Sequence, residues 1–227
     1  MKIDDYRNGA RRLTDEHCTT PAQTVRNWAA SWRNILRLLI EGRVEANGEH
    51  IGRGIFEPCS LIIARWEFLG TLLTGHDGRS NRVQALAYAN AFLVPVNGRY
   101  GASHPTIAPG WTVAQLLVQM MRNGSLHGFT PSGVYDDTTD CCLAWAVGYE
   151  LPDRSRHLHF DGGHLLIDGG LLLDEFVESM DRFAAYLDEN QVATNGKLPT
   201  ENFREGYRWR LFPAKANDNG VPPPWAF

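Results

Sequence analysis

Apolar residues return at three- and four-residue steps over much of the chain, and that period predicts helices. Val25, Trp28, Ala29, Trp32, Ile35, Leu36 and Leu39 fall on one stripe of a helix from Gln23 to Glu41, with Gly42 as its stop. A second helix starts at Pro58, a residue suited to a first turn, and runs to Leu73. It is apolar on most faces, as a central helix would be. A third, from Arg82 to Leu93, presents Val83, Leu86, Ala87, Asn90 and Phe92, and Pro95 follows its end. A fourth, from Trp111 to Asn123, carries Val113, Leu116, Leu117, Met120 and Met121.

The period then changes. In "CLAWAVGYEL" Leu143, Trp145, Val147 and Tyr149 alternate, which predicts a strand. "RHLHF" and "HLLID" flank Asp161-Gly162-Gly163, a hairpin signal. The helical period resumes from Leu171 to Asn190, with Leu172, Phe176, Met180, Phe183 and Leu187 on the core stripe. Together these elements predict a mainly α protein. It is a four- to five-helix bundle with a small antiparallel β insertion, a meander at about 141–168, before the last helix. Residues 1–22 read as a loosely held polar extension, 23–190 as the helical domain and 191–227 as a C-terminal extension. Within that extension "GYRWRLFP" reads as a short strand and "VPPPWAF" as extended chain.

Composition narrows the class. A chain of 227 residues that is 43% hydrophobic and 21% charged suits a folded globular protein. No apolar run reaches the length of a membrane span, and the N-terminus has no apolar signal core, so the expected compartment is the cytoplasm. Cys18, Cys59, Cys141 and Cys142 lack metal-site spacing and read as reduced thiols. The formal charge of -4 gives no global basic field. Yet of 22 basic residues only Lys2, Lys197 and Lys215 are lysines, and arginine forks onto phosphate.

Four places pair an arginine with a histidine five positions on: Arg12 with His17, Arg99 with His104, Arg122 with His127, and Arg154 with His159. Spacing alone selects none. Context selects Arg122, which closes a long apolar helix and is followed by the amide of Asn123. Were the helix to continue one turn, Asn123 and His127 would share a face. Gly124 and Gly128 allow sharp turns and close ligand approach. In the bland alternative, the arginine and amide cap helix carbonyls and complement the dipole.

The segment "MMRNGSLHGFTP", the buried "EPCSLIIARWEFLGTLL" helix and "HLLIDGGLLLDEFVESMDRFAAYL" resemble HEPN domains, a family of four- to five-helix bundles. The likeness covers roughly residues 23–190, and its specific part is the short motif. Gly124, directly after the amide, departs from a wholly helical motif. The resemblance implies a metal-independent endoribonuclease that needs no cofactor and acts as a homodimer on RNA. In it His127 serves as general acid or base, Arg122 neutralises the phosphate and Asn123 orients the histidine or binds phosphate. It also implies a toxin or defence setting, in which a partner protein of unknown identity restrains the activity. The alternative within the family is a non-catalytic binding or scaffold module.

Other clusters carry weaker chemistry. Arg204, Arg208 and Arg210, interleaved with Tyr207 and Trp209, could stack bases and hold phosphates, or form an edge strand with aromatics inward. His157, His159 and His164 have metal-ligand chemistry, with a solvated strand face as the alternative. Glu67, on the buried helix, needs a partner, and Arg122 is a candidate.

Overall fold

The computed structural model describes residues 3–44, 50–51, 56–75, 80–123, 133–193 and 195–211. Among them the chain is mainly helical, with a small mixed sheet. The helices are α1 (Ile3–Thr19), α2 (Pro21–Glu41), α3 (Glu57–Thr74), α4 (Asn81–Tyr88), α5 (Val113–Leu117), α6 (Gly169–Glu189) and α7 (Pro199–Leu211). Both α4 and α5 pass without a break into wide π turns, Ala89–Leu93 and Val118–Asn123. No helix among the described residues is long and apolar enough to cross a membrane.

A helix that is apolar all round is stable only when enclosed, and α3 is enclosed. Ile62, Ile63, Trp66, Leu69 and Leu72 have no exposed surface. Helices α4 and α7 both pack against α3, and glycines set how closely. A Cβ at Gly70 would stand 1.9 Å from the Gln84 carbonyl oxygen, and one at Gly206 would stand 2.2 Å from that of Thr71. Helix α2 lies along α6, held at its margins by ion pairs from Arg26 to Asp188 and from Arg37 to Asp174.

Local chemistry sets the helix boundaries. Pro21 and Pro58 occupy first turns. The Ser80 hydroxyl caps α4, and Thr112 forms a capping box with Gln115 at the start of α5. Gly75 ends α3 in the left-handed conformation, with φ of 71°.

Strands β1 (Arg43–Val44) and β2 (His50–Ile51) form a separate antiparallel pair. The main sheet contains β3 (Val134–Asp136), β4 (Cys141–Gly148), β5 (Phe160–Asp161) and β6 (His164–Asp168), in the order β3-β4-β6-β5. The expected hairpin at Asp161-Gly162-Gly163 is present between β5 and β6. The expected antiparallel meander is corrected, because β4 and β6 run parallel, with Trp145 opposite Leu165 and Val147 opposite Ile167. The chain between them crosses over through a 3-10 turn at Arg154–Arg156, which lets β6 re-enter beside β4 in the same direction.

Three further expectations change. The polar N-terminus is helical rather than loose: α1 buries Thr14 and Cys18, and the His17 ring bonds the Tyr207 hydroxyl. Residues 199–211 form a helix, not a strand. The alternating aromatics suggested a strand, but Phe203, Gly206, Tyr207 and Arg210 follow the helical period and turn inward, Gly206 and Arg210 onto α3 and Phe203 and Tyr207 onto Trp28 of α2. The apolar stripes of α2 and α4 are also partly misplaced. Ile35 is 50% exposed and Leu39 38%, and on α4 the buried residues include Gln84, Ala85 and Tyr88, while Val83 is 41% exposed. Gln84 tolerates burial because its side-chain oxygen accepts a hydrogen bond from the Thr71 hydroxyl at 2.7 Å.

Gly70→Ala and Gly206→Ala are each expected to cost about 3 kcal/mol, since backbone atoms cannot yield as a side chain can. Gly9→Ala, in open space on α1, should instead stabilise by about 0.5 kcal/mol. Urea denaturation of the three variants measures the contrast.

Candidate functional site

The motif helix is fixed by its core face. Val113, Ala114, Leu116, Leu117, Val118, Met120 and Met121 are buried, and the Val118–Asn123 turn packs on α3. The backbone of Arg122 and Asn123 therefore belongs to a well-anchored helical segment and lies at the last of its described residues. His127 lies outside the described residues, as do Gly124 and Gly128.

The arginines of "FREGYRWRLF" are separated by the helix. Arg204 is exposed, while Arg208, Trp209 and Arg210 are half-buried. Arg210 belongs to the inward stripe. Its guanidinium donates to Glu67 Oε1 at 3.1 Å and to the Thr71 hydroxyl at 2.7 Å. Thus Glu67 has Arg210 as a partner, and Arg210 is committed to packing α7 on α3. The four residues do not form the single strip that a strand would have presented.

The three candidate metal ligands also diverge. His157 and His159 do not share a strand face, because the chain turns there and β5 begins only at Phe160. His157 is buried, with Nε2 3.2 Å from Glu175 Oε2 and Nδ1 accepting the backbone N–H of Asp168 at 2.9 Å. His159 Nδ1 meets the guanidinium of Arg99, and exposed His164 lies beside its own turn, near the Gly162 carbonyl. Among the described residues no three His, Cys, Asp or Glu side chains are grouped to hold a metal.

The most concentrated buried polar chemistry is one the sequence reading missed. Glu175 on α6 receives Nε2–H of His157, the Tyr100 hydroxyl at 2.7 Å and the Asn97 amide at 2.7 Å. Since His157 Nδ1 accepts a backbone N–H, its ring proton sits on Nε2 and points at the carboxylate. Burial opposes the charge on Glu175, but His157, Tyr100 and Asn97 outweigh it and hold the carboxyl below its ordinary range. Burial, then Glu175, pushes the Tyr100 hydroxyl well up, so it stays a donor. Arg99 adds bonds to the Ser155 and His157 carbonyls. A signal existed: Glu175 lies between Leu172 and Ser179 on a buried stripe, where a carboxylate needs partners. Every polar atom of Glu175 and His157 is engaged within the fold, so the cluster clamps the 97–101 and 153–160 segments to α6.

A cleft of about 150 Å³ opens between the end of α2 and the start of α6. Arg37 and Arg154 line it, but Arg37 is matched by Glu41 and Asp174, and Arg154 by Glu150 and Asp168. Asp168 also accepts the N–H groups of Leu171 and Leu151, which closes the N-terminus of α6. The cleft therefore offers no surplus positive charge. The four cysteines are free thiols, with Cys18 and Cys59 buried and Cys141 and Cys142 exposed; burial pushes Cys59 up to about 12.

Comparison of the chain with protein-family models, with curated proteins and with solved structures finds no match.

Because the Glu175 carboxyl is depressed in the fold, its stabilisation is present above the ordinary glutamate range and is lost as pH falls through the lower folded value. Unfolding free energy from urea titrations should decline on acidification from about pH 5. Glu175→Gln should reduce that slope and cost about 2 kcal/mol at neutral pH.

Proposed function

We propose that this chain is a HEPN-type, metal-independent endoribonuclease. The observation that supports the reading most is the setting of the motif: a helix buried along its core face and packed on the central helix α3 carries the backbone of Arg122 and Asn123. A catalytic cation needs such a fixed mount, because a small misplacement loses much of the effect. The mainly helical architecture agrees with the bundle that the motif resembles.

In this reading the ribose 2′-hydroxyl attacks the adjacent phosphorus. A base, assigned to His127, takes the hydroxyl proton as the new P–O bond forms. The P–O5′ bond breaks, and the leaving oxygen receives a proton from the conjugate acid or from a second copy of the motif. The products are a 2′,3′-cyclic phosphate and a 5′-hydroxyl end. Arg122 stabilises the charge that builds on the phosphoryl oxygens, and Asn123 orients the imidazole or binds phosphate. The catalytic unit is a homodimer in which two motifs face one groove, located in the cytoplasm in a toxin or defence system. The ion pair that holds Arg210 to α3 favours restricting any RNA contact on α7 to its outer arginines, Arg204 first.

A second reading keeps the bundle as a binding or scaffold module without turnover. The committed Arg210 and the formal charge of -4 favour it. The experiment is incubation of purified protein with structured and single-stranded RNAs in EDTA, with end analysis of the products. Cleavage leaving cyclic phosphate, reduced at least about 100-fold by His127→Ala and by Arg122→Ala with unchanged circular dichroism, is expected. Intact RNA, or cleavage indifferent to both substitutions, overturns the nuclease in favour of the module.

A further inference from the structure

Helices α2 and α3 leave an apolar face open beside a cation that has no counter-charge among the described residues. Trp28 meets Phe68 at 5.4 Å, and Trp32 meets both Phe68 at 6.2 Å and the Arg65 guanidinium at 4.7 Å. Moving forward along α2 thus moves backward along α3, so the helices are antiparallel. The next turns bring Ile35 and Leu39 of α2 opposite Leu61, which precedes Arg65 by one turn. Leu38 is 69% exposed, Ile35 50%, Leu61 39% and Leu39 38%. Such side chains scattered singly are ordinary, but grouped on one face they mark an interaction surface.

Arg65 defines what this surface takes. Its guanidinium lies over Trp32, and one terminal nitrogen donates to the Leu61 carbonyl at 3.0 Å. Its Nε is buried without a hydrogen-bond partner, and no carboxylate among the described residues pairs with it. Burial alone pushes its pKa down, with no opposing charge to hold it up. Arg33, also exposed on α2, is two residues from Ile35 and so lies on the other side of that helix, the side from which Arg37 turns toward Glu41 and Asp174. Glu57, exposed one turn before Leu61, stands at the far edge.

We propose that the face built from Trp32, Ile35, Leu38, Leu39, Leu61 and Arg65 docks an acidic amphipathic helix of a partner protein. A carboxylate of that helix pairs with Arg65, and its apolar stripe lies along the aliphatic side chains. A third helix fits because two antiparallel helices present a straight groove, the recognition mode used for amphipathic segments. Charge selects an acidic partner, because Arg65 has no carboxylate beside it among the described residues; a second copy of this chain is the other occupant, and the test separates the two. The inference does not depend on the nuclease reading.

The probe is a synthetic helical peptide of roughly 18 residues with leucines at i, i+3, i+4 and i+7 and flanking glutamates. A matched peptide with lysines in place of the glutamates is the control. Binding to the full chain is read by tryptophan fluorescence and calorimetry. Saturable binding of the acidic peptide is expected, with at least about tenfold weaker binding of the lysine peptide. Arg65→Gln and Leu38→Asp should each weaken the acidic peptide at least about tenfold. Leu38 is exposed, so its substitution tests the surface without touching the core. Absence of binding, equal affinity for the two peptides, or indifference to both substitutions overturns the proposal. So does light scattering that shows a dimer abolished by Leu38→Asp, since a second copy then occupies the face.

Discussion

Helix α3 has almost no polar surface to give to water, and that constraint organises everything around it. Its residues Ile62, Ile63, Trp66, Leu69 and Leu72 must be covered from several sides at once. Helices α4 and α7 provide cover by approaching to backbone distance, which only glycine at positions 70 and 206 permits. Close approach brings Thr71, Gln84 and Arg210 into one hydrogen-bonded chain with Glu67, so the polar groups caught in this layer satisfy one another. The motif helix takes another side of α3, and its position follows from the same demand.

The second organising device is electrostatic. Glu175 gathers three donors from two separate segments, and Asp168 gathers backbone N–H groups at the α6 entrance. A buried carboxylate is costly unless fully bonded, so each fixes irregular chain that apolar packing could not hold. This is why the long crossover between β4 and β6 is well placed despite having little regular structure of its own.

Helices α2 to α6 were legible because burial writes a three- and four-residue period into sequence, and α6 keeps every predicted core residue buried. Where burial is shallow the period misleads. On α2 it counted Ile35 and Leu39 as core, although that side of the helix faces open space. On α7 two periods coexist: Tyr207, Trp209 and Leu211 alternate, while Phe203, Gly206, Tyr207 and Arg210 recur helically, and contact with α3 decides between them. The hairpin was visible because its turn is local. The parallel pairing of β4 with β6 was not, because nothing in either strand records its distant neighbour. At the candidate site, the helical segment carrying Arg122 and Asn123 was readable from apolar spacing. The partners of His157 and Glu175 were not, since they come from elements far apart in sequence.

The π turns at Ala89–Leu93 and Val118–Asn123 each accommodate an additional amino acid within a continuous helical rod. In an ideal α-helix one residue corresponds to about 100° of azimuth. The backbone of Arg122 and Asn123, inside the second widened turn, is therefore displaced from the path that a uniform 3.6-residue winding would take. Deleting a single residue there would leave Val113–Leu117 untouched while rotating that backbone about the helix axis. Its azimuth is thus encoded by a count of residues, separately from the composition of the core that supports it.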